Sequence, residues 1–228
     1  MTITTARKPV SFAFGVASFI GMTILSASPS QAAIFNGNFS SGFSGWNTTG
    51  NTDASSGAAV LTTGSVDTSS MESFLGLPSG TLNGIGNSPT FGSAIKQSFF
   101  ANAGTVVSFD WLFKAGDYLP FNDFSFVSLV PSGANLLSNV AQVGNYGSSG
   151  LQSFSTTIAN TGTYTLGFGV LNSLDNNVAS QLTIDNVSGN VSPATSVPTP
   201  ALLPGLIGIG MGVLRKRKAK AVEQAIEA

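Results

Sequence analysis

The 228-residue sequence contains no cysteine and no histidine. Disulfides, thiol nucleophiles, Cys/His metal centres and every mechanism that needs an imidazole are thereby excluded. Charge is also scarce, because Asp, Glu, Lys and Arg make up 8% of the chain against roughly 25% in an average globular protein. There is no phosphate-binding loop, dinucleotide fingerprint or nucleophile elbow, and a serine nucleophile would lack its histidine. A glycosidase needs two carboxylates flanking a cleft. The seven Asp and single Glu between residues 33 and 197 show no spacing that selects such a pair, so the chain reads as a non-enzyme. What is plentiful is apolar and turn-forming material: 42% hydrophobic residues, 17 Phe and 27 Gly. That is ample for a core and rules out wholesale disorder.

The little charge present is segregated. Seven of the nine basic residues lie near the two ends, and between residues 33 and 197 only Lys96 and Lys114 oppose eight acidic groups, a formal charge of −6. An acidic body has nothing with which to displace the counterions of a phosphate backbone, so nucleic acid is excluded as a partner.

The N-terminus places Arg7 and Lys8 before an apolar run of about 18 residues, then small residues at Ser30 and Ala32. This is the three-part pattern of an export signal spanning 1–32, with cleavage between Ala32 and Ala33. A retained signal anchor is the alternative, since the run exceeds the usual apolar length of ~7–15 residues. At the other end, residues 201–214 are uncharged and almost wholly apolar, and Arg215, Lys216, Arg217 and Lys218 follow without a break. Fourteen helical residues span about 21 Å against a hydrocarbon core near ~30 Å, a short transmembrane helix whose basic end snorkels to the interface. The basic cluster belongs on the cytoplasmic side, so the acidic body lies outside the inner membrane.

Pro198-Thr199-Pro200-Ala201, then LLPGLIGIGMGVL, then RKRK resembles the PTPA variant of the PEP-CTERM sorting tail of exopolysaccharide-making bacteria, found in this form mainly in cyanobacteria. The resemblance covers about residues 197–220. It implies an exosortase-type membrane protease that cuts near the motif after the export machinery has moved the body across. The body would then stay at the cell surface or in the extracellular matrix. Thr199 stands where the PEP form carries Glu, and AVEQAIEA extends beyond the usual basic end. The plainer alternative is a simple C-terminal anchor.

The body, residues 33–189, alternates with a period of two. In GTYTLGFGV the residues Tyr164, Leu166, Phe168 and Val170 share one face, and Thr163, Thr165, Gly167 and Gly169 the other, which predicts a half-buried strand. GTVVSFDWLF repeats this with Val107, Phe109, Trp111 and Phe113. Further strands are predicted near 58–63, 93–99, 123–130, 134–143, 151–159 and 179–187. Segment 64–92 reads as a long loop with a helical turn around Met71–Leu75, and 190–200 as a Pro/Ser/Thr linker. Eight or nine short strands separated by turn residues make an antiparallel β-sandwich, jelly-roll-like and all-β, between the signal helix and the short membrane helix.

IFNGNFSSGFSGW near the mature start and LTIDNVSGNV near the end resemble the opening and closing strands of jelly rolls of the carbohydrate-binding-module type, and the FDW…NDF stretch is similar to bodies that carry PEP-CTERM tails. Such jelly rolls often tie their first and last strands together with calcium, which implies Asp185 as carboxylate with Asn36 and Asn38 as companions. Turn backbone satisfied by Asp185 and Asn186 is the simpler reading. Aromatic rings in loops stack on sugars, and amides or carboxylates beside them hydrogen-bond the hydroxyls. Tyr118, Phe121, Asn122 and Asp123 in GDYLPFNDF and Tyr146 in GNYGSSG are the candidates for glycan binding. Trp46 and Trp111 are expected in the core. The function expected is that of an exported structural or polysaccharide-binding protein, with a secreted polysaccharide hydrolase and a simple anchored coat protein as alternatives.

Overall fold

The computed structural model describes residues 34–191. The export signal, its cleavage position between Ala32 and Ala33, the sorting motif Pro198–Ala201, the apolar segment 201–214 and the basic residues Arg215–Lys218 all lie outside the described residues. Among the described residues no helix is long and apolar enough to cross a membrane.

In chain order the strands begin with β1 (Asn47–Thr49), β2 (Asn51–Asp53), β3 (Ala59–Thr62) and β4 (Val66–Asp67). Helices α1 (Thr68–Leu75) and α2 (Thr81–Ile85) follow, then strands β5 (Pro89–Ala101), β6 (Thr105–Lys114), β7 (Phe124–Val130) and β8 (Gly133–Asn139). After α3 (Val140–Val143) come β9 (Gln152–Thr157), β10 (Gly162–Ser173) and β11 (Gln181–Val191). The last strand therefore runs into the first residues of the expected linker. One sheet has the order β1-β5-β10-β7-β8 with β4 on β5, the other β2-β3-β11-β6-β9, and every pairing is antiparallel. The protein is an antiparallel β-sandwich of jelly-roll type.

The alternating apolar residues meet between the sheets. Val107, Phe109 and Phe113 of β6, Leu182 and Ile184 of β11, Leu61 of β3, Ile95 and Phe99 of β5, and Leu166, Phe168 and Val170 of β10 form one buried cluster. Phe168 stands at its centre, its ring 4.7 Å from Phe109 edge-on and 6.1 Å from Trp46. Trp111 is partly buried against the same cluster.

Four expectations are corrected. Segment 64–92 is not a long loop but holds β4, α1, α2 and the first residues of β5. Asp67 caps α1 by accepting from Ser70 N, and Gly76 ends it in the left-handed region at φ 77°. The buried Glu72 then fixes α2 by accepting from Gly80 N at 2.8 Å and Leu82 N at 2.7 Å. Second, β10 is buried on both faces, because Met71, Leu75 and Leu82 of the helices join Phe124, Phe126 and Leu171 in a cluster outside the six-stranded sheet. Gly167 and Gly169 are the places where this cover comes close. A Cβ at 167 would lie 2.5 Å from Leu75 Cδ2, and one at 169 would lie 2.4 Å from the Phe126 ring. Third, the strand expected over 134–143 ends at Asn139, whose side chain accepts from Gln142 N and starts α3. Fourth, the expected opening strand is a run of turns over 34–46. It buries Phe39 and Trp46 while β11 meets it through Val187 N donating to Gly37 O.

Candidate functional site

At one end of the sandwich the inward-facing rows change from apolar to polar. On β7 the odd residues face the core, and Asp123 precedes Ser125 and Val127 in that row. On β10 the even residues face it, and Asn172 follows Phe168 and Val170. The paired register ends at Leu171↔Phe124, and just beyond it Ser173 N donates to Asp123. From the other sheet, Thr63 follows Leu61 and Ser180 precedes Leu182 in their inner rows, and Ala115 and Asp117 follow Phe113.

Asp123, fully buried, accepts from Ser173 N at 3.0 Å and from the Ser180 hydroxyl at 2.7 Å. Ser180 in turn accepts from Gly116 N at 3.0 Å, and its own N–H donates to the Thr63 hydroxyl at 3.1 Å. One carboxylate thus ties β7, β10 and the connection before β11. Burial pushes the Asp123 carboxyl up to about 6, against the two hydrogen bonds that favour its charge, and the nearby Asp117 and Asp175 carboxylates add to the rise. Asp117, 1% exposed, accepts from Tyr118 N through Oδ1 at 2.8 Å. Its Oδ2 has no hydrogen-bond partner among the described residues, and neither has Asn172 Oδ1.

Over this polar end lies a layer of rings. Tyr118 is 41% exposed and Tyr146 62%, with ring centroids 5.8 Å apart, and Phe121 meets Tyr118 edge-on at 5.5 Å. Their backbone is pinned: Tyr146 N donates to Asp117 O at 2.9 Å, Leu119 N to Asn145 Oδ1 at 3.0 Å and Ala115 N to Gly147 O at 2.9 Å. Tyr146 itself holds a left-handed φ of 56°, a conformation that a bulky residue keeps only when its surroundings impose it. Leu119 on the same loop, Leu174 and Val178 after β10, and Leu151 before β9 are also large apolar side chains exposed in loops at this end. Ala115 and Gly116 share a cleft of about 280 Å³ with Lys114, Ala179 and Gln181.

The structure therefore brings Tyr118, Phe121 and Tyr146 together as one surface. Asn122 stands beside them with its Oδ1 accepting from Ala141 N at 2.8 Å. Asp123 departs from the expected role: it is sealed under the loop and faces no solvent, because it begins the inner row of β7. Asn145, Asp117 and Asn172 were not among the expected residues. The signal for Asn172 is a polar residue two places beyond Val170, on the row set by Tyr164, Leu166 and Phe168.

The residues named for calcium are engaged elsewhere. Asn36 donates from Nδ2 to Gly42 O and Ser44 O and accepts from Ser41 N, while Asn38 Oδ1 accepts from Ser40 N and its hydroxyl. The asparagine oxygens thus hold N–H and O–H donors. Asp185 lies in the β6–β11 ladder opposite Asp110 and accepts from Asn186 N. Among the described residues no three Asp or Glu side chains form a group able to hold a metal.

A second polar surface lies outside the five-stranded sheet. Ser153 donates to Asp110 at 2.6 Å and Asn186 Nδ2 at 2.9 Å, and these bonds hold the Asp110 carboxyl below the usual range. With Ser108, Ser155 and the partly buried Phe154 they line an open cleft of about 360 Å³. A smaller cavity, about 120 Å³, between the β8 and β9 edges is walled chiefly by core side chains such as Phe109, Leu129 and Leu166.

No protein-family model matches the chain, and no curated protein is significantly similar to it. Among solved structures, the chain is similar to TmCBM61, solved in complex with beta-1,4-galactotriose, at 14% identity and a TM-score of 0.37, covering 69% of this chain and 97% of that one. It is also similar to TmCBM27, a carbohydrate-binding module described for specific mannan recognition, at 15% identity and a TM-score of 0.37, covering 70% and 95%. The N-terminal cellulose-binding domain of Cellulomonas fimi beta-1,4-glucanase C matches at 12% identity and a TM-score of 0.25, covering 72% and 97%. All three likenesses are distant in sequence and in superposition.

Proposed function

We propose that this is an exported, non-catalytic protein whose sandwich binds polysaccharide through Tyr118 and Tyr146. The observation that carries the reading is the pair of exposed rings on pinned backbone. A tyrosine supplies an apolar face for the C–H side of a sugar and a hydroxyl for hydrogen bonding. Loops already held by Asn145, Asp117 O and Gly147 O lose little freedom on binding. The third tyrosine is of a different kind: Tyr164 is buried, and its hydroxyl donates to Asn160 O. Asn122 offers its amide N–H₂ beside the rings. The carboxylates give little support to hydrolysis, since Asp117, Asp123 and Glu72 are buried and Asp53, Asp67 and Asp110 are hydrogen-bonded to serines.

The test is affinity electrophoresis against a panel of polysaccharides, combined with an assay for released reducing ends. Binding without release is the expected result, weakened at least about tenfold by Tyr118→Ala or Tyr146→Ala. Release of sugar that one Asp→Asn change abolishes would favour the hydrolase, and silence in both assays would leave a coat protein.

The termini complete the proposal. Residues 1–32 direct export, and the PTPA segment holds the body transiently in the inner membrane until an exosortase-type protease cuts near Pro198–Ala201. The body then works at the cell surface or in extracellular polysaccharide. The mass of the surface fraction in the native host should match a chain that begins at Ala33 and lacks the basic tail. A product intact through Ala228 would contradict processing.

A further inference from the structure

The fully buried Asp123 carboxyl is tied to both sheets. It accepts from Ser173 N, at the end of β10, and from the hydroxyl of Ser180, the residue before β11. Both donors are neutral. Lys96 and Lys114 are the cations between residues 34 and 191. Lys96 Nζ is taken by Phe74 O, and Lys114, the last residue of β6, is exposed. A buried carboxylate without a counter-charge is costly, and a proton relieves it. The 2.7 Å contact with Ser180 serves either state, because a carboxylate accepts from the hydroxyl and a carboxylic acid donates to it. The charged groups around it have the same sign. Ser180 Oγ also accepts from Gly116 N at 3.0 Å, and Asp117 is the next residue on that connection. Asp175 comes two residues after Ser173. Thr63, against Ser180, and Val140, whose N–H donates to Asp123 O, bring no charge. Burial first, and then Asp117 and Asp175, hold the Asp123 carboxyl up at about 6 against its two hydrogen bonds. Asp117 in turn positions both exposed rings, since its Oδ1 accepts from Tyr118 N and its backbone O from Tyr146 N. A force on Asp117 is therefore passed to the backbone of both tyrosines.

We propose that Asp123 is a proton-operated latch beneath the surface that carries Tyr118 and Tyr146. Protonated, it holds this end of the sandwich closed; ionised, it repels Asp117 and loosens the backbone of both rings. As regulation of polysaccharide binding this rests on the function proposed above, and acid tightens the site. The sign follows from linkage. The folded chain keeps this proton to a higher pH than the unfolded chain, whose carboxyl titrates near 3.8, so the stability it contributes is full below that value and is lost as pH rises through about 6. Asp53, Asp67 and Asp110, whose carboxyls are lowered by hydrogen bonds to serines and, for Asp110, Asn186, act in the opposite sense in more acidic solution.

The experiment is a pH titration of the full-length chain, read by NMR of the side-chain carboxyl carbons and of the Tyr118 and Tyr146 amides, and by thermal unfolding. The Asp123 carboxyl should titrate at about 6, and the two tyrosine amides should move with the same midpoint. The melting midpoint should be about 4–8 °C higher at about pH 4.5 than at about pH 7.5. Asp123→Asn keeps an oxygen for Ser173 N and an N–H₂ for Ser180 but cannot ionise, so it should lose both the melting difference and the amide shifts. Polysaccharide affinity should fall at least about threefold over the same rise in pH and stay level in Asp123→Asn. Tyr118→Ala should weaken binding at both values and keep the melting difference, which separates the latch from the binding surface. Absence of binding at every pH would refute the reading of the rings, while the NMR signals and the melting still decide the latch. The proposal is overturned if the Asp123 carboxyl titrates in the ordinary range near ~4, or if the wild-type melting midpoint fails to rise toward acid. It is overturned equally if the tyrosine amides ignore the titration of Asp123, a readout on the wild type that stands even if Asp123→Asn does not fold.

Discussion

The turns at 34–46 and the connection at 115–123 both bring polar groups against the core, and they satisfy them in opposite ways. In the first, Gln97 reaches from the inner row of β5 to accept from Phe35 N and to donate to Phe35 O and Gly45 O. Trp46 Nε1 donates to Phe35 O and Asn36 O, and Asn36 stitches the turns to each other. The buried polar groups there are matched by the loop together with Gln97 of β5. In the second, acceptors outnumber donors, and Tyr118 and Tyr146 face outward although their backbone is held. Buried polar groups that find partners hold a loop in place, whereas exposed rings on a fixed frame are what the proposed binding of polysaccharide calls on.

That contrast can be broken by substitution, because stability should follow the first region and ligand binding the second. Phe39→Ala removes a fully buried ring packed 5.2 Å from Trp46 and should cost about 3–5 kcal/mol in urea unfolding. Polysaccharide affinity measured well below the transition should not change. Asn36→Ala deletes three loop hydrogen bonds and should cost about 1–2 kcal/mol, again with affinity unchanged. Asn145→Ala takes the acceptor from Leu119 N. About 1 kcal/mol of stability should go with it, and calorimetry should show several-fold weaker binding as the platform loosens. The smallest effect on stability belongs to Tyr146→Ala, within about 0.5 kcal/mol for so exposed a side chain, together with the loss of binding. If Tyr146→Ala destabilised more than Asn36→Ala, the division between the two regions would fail.

Strands were legible wherever one face is core and the other solvent, as in Val107, Phe109 and Phe113. The rule faltered where a second layer covers the sheet. Gly167 and Gly169 look like a solvent face because they carry no side chain, yet that is why Leu75 and Phe126 can pack on them. The eight residues of α1 show helical spacing over a single turn, Met71, Phe74 and Leu75, among Ser and Thr, and its cap and partners supply what propensity does not: the Asp67 cap, the Glu72 bonds to α2 and the packing of Leu75. The aromatic loop residues were legible as Tyr118 and Tyr146, since rings among Gly, Asp and Asn have few ways to be buried. Asp123 was misread because sequence parity does not say how far a strand's inner row extends. The same extension, applied to β10 past Val170, accounts for the burial of Asn172.

The most direct measurement is an ¹H–¹⁵N NMR titration of the protein with an oligosaccharide drawn from whichever polysaccharide it retains. The predicted result is saturable shifts concentrated at residues 117–122 and 144–147. Shifts concentrated instead at Ser108, Asp110, Ser153 and Asn186, on the polar face of the other sheet, would contradict the assignment.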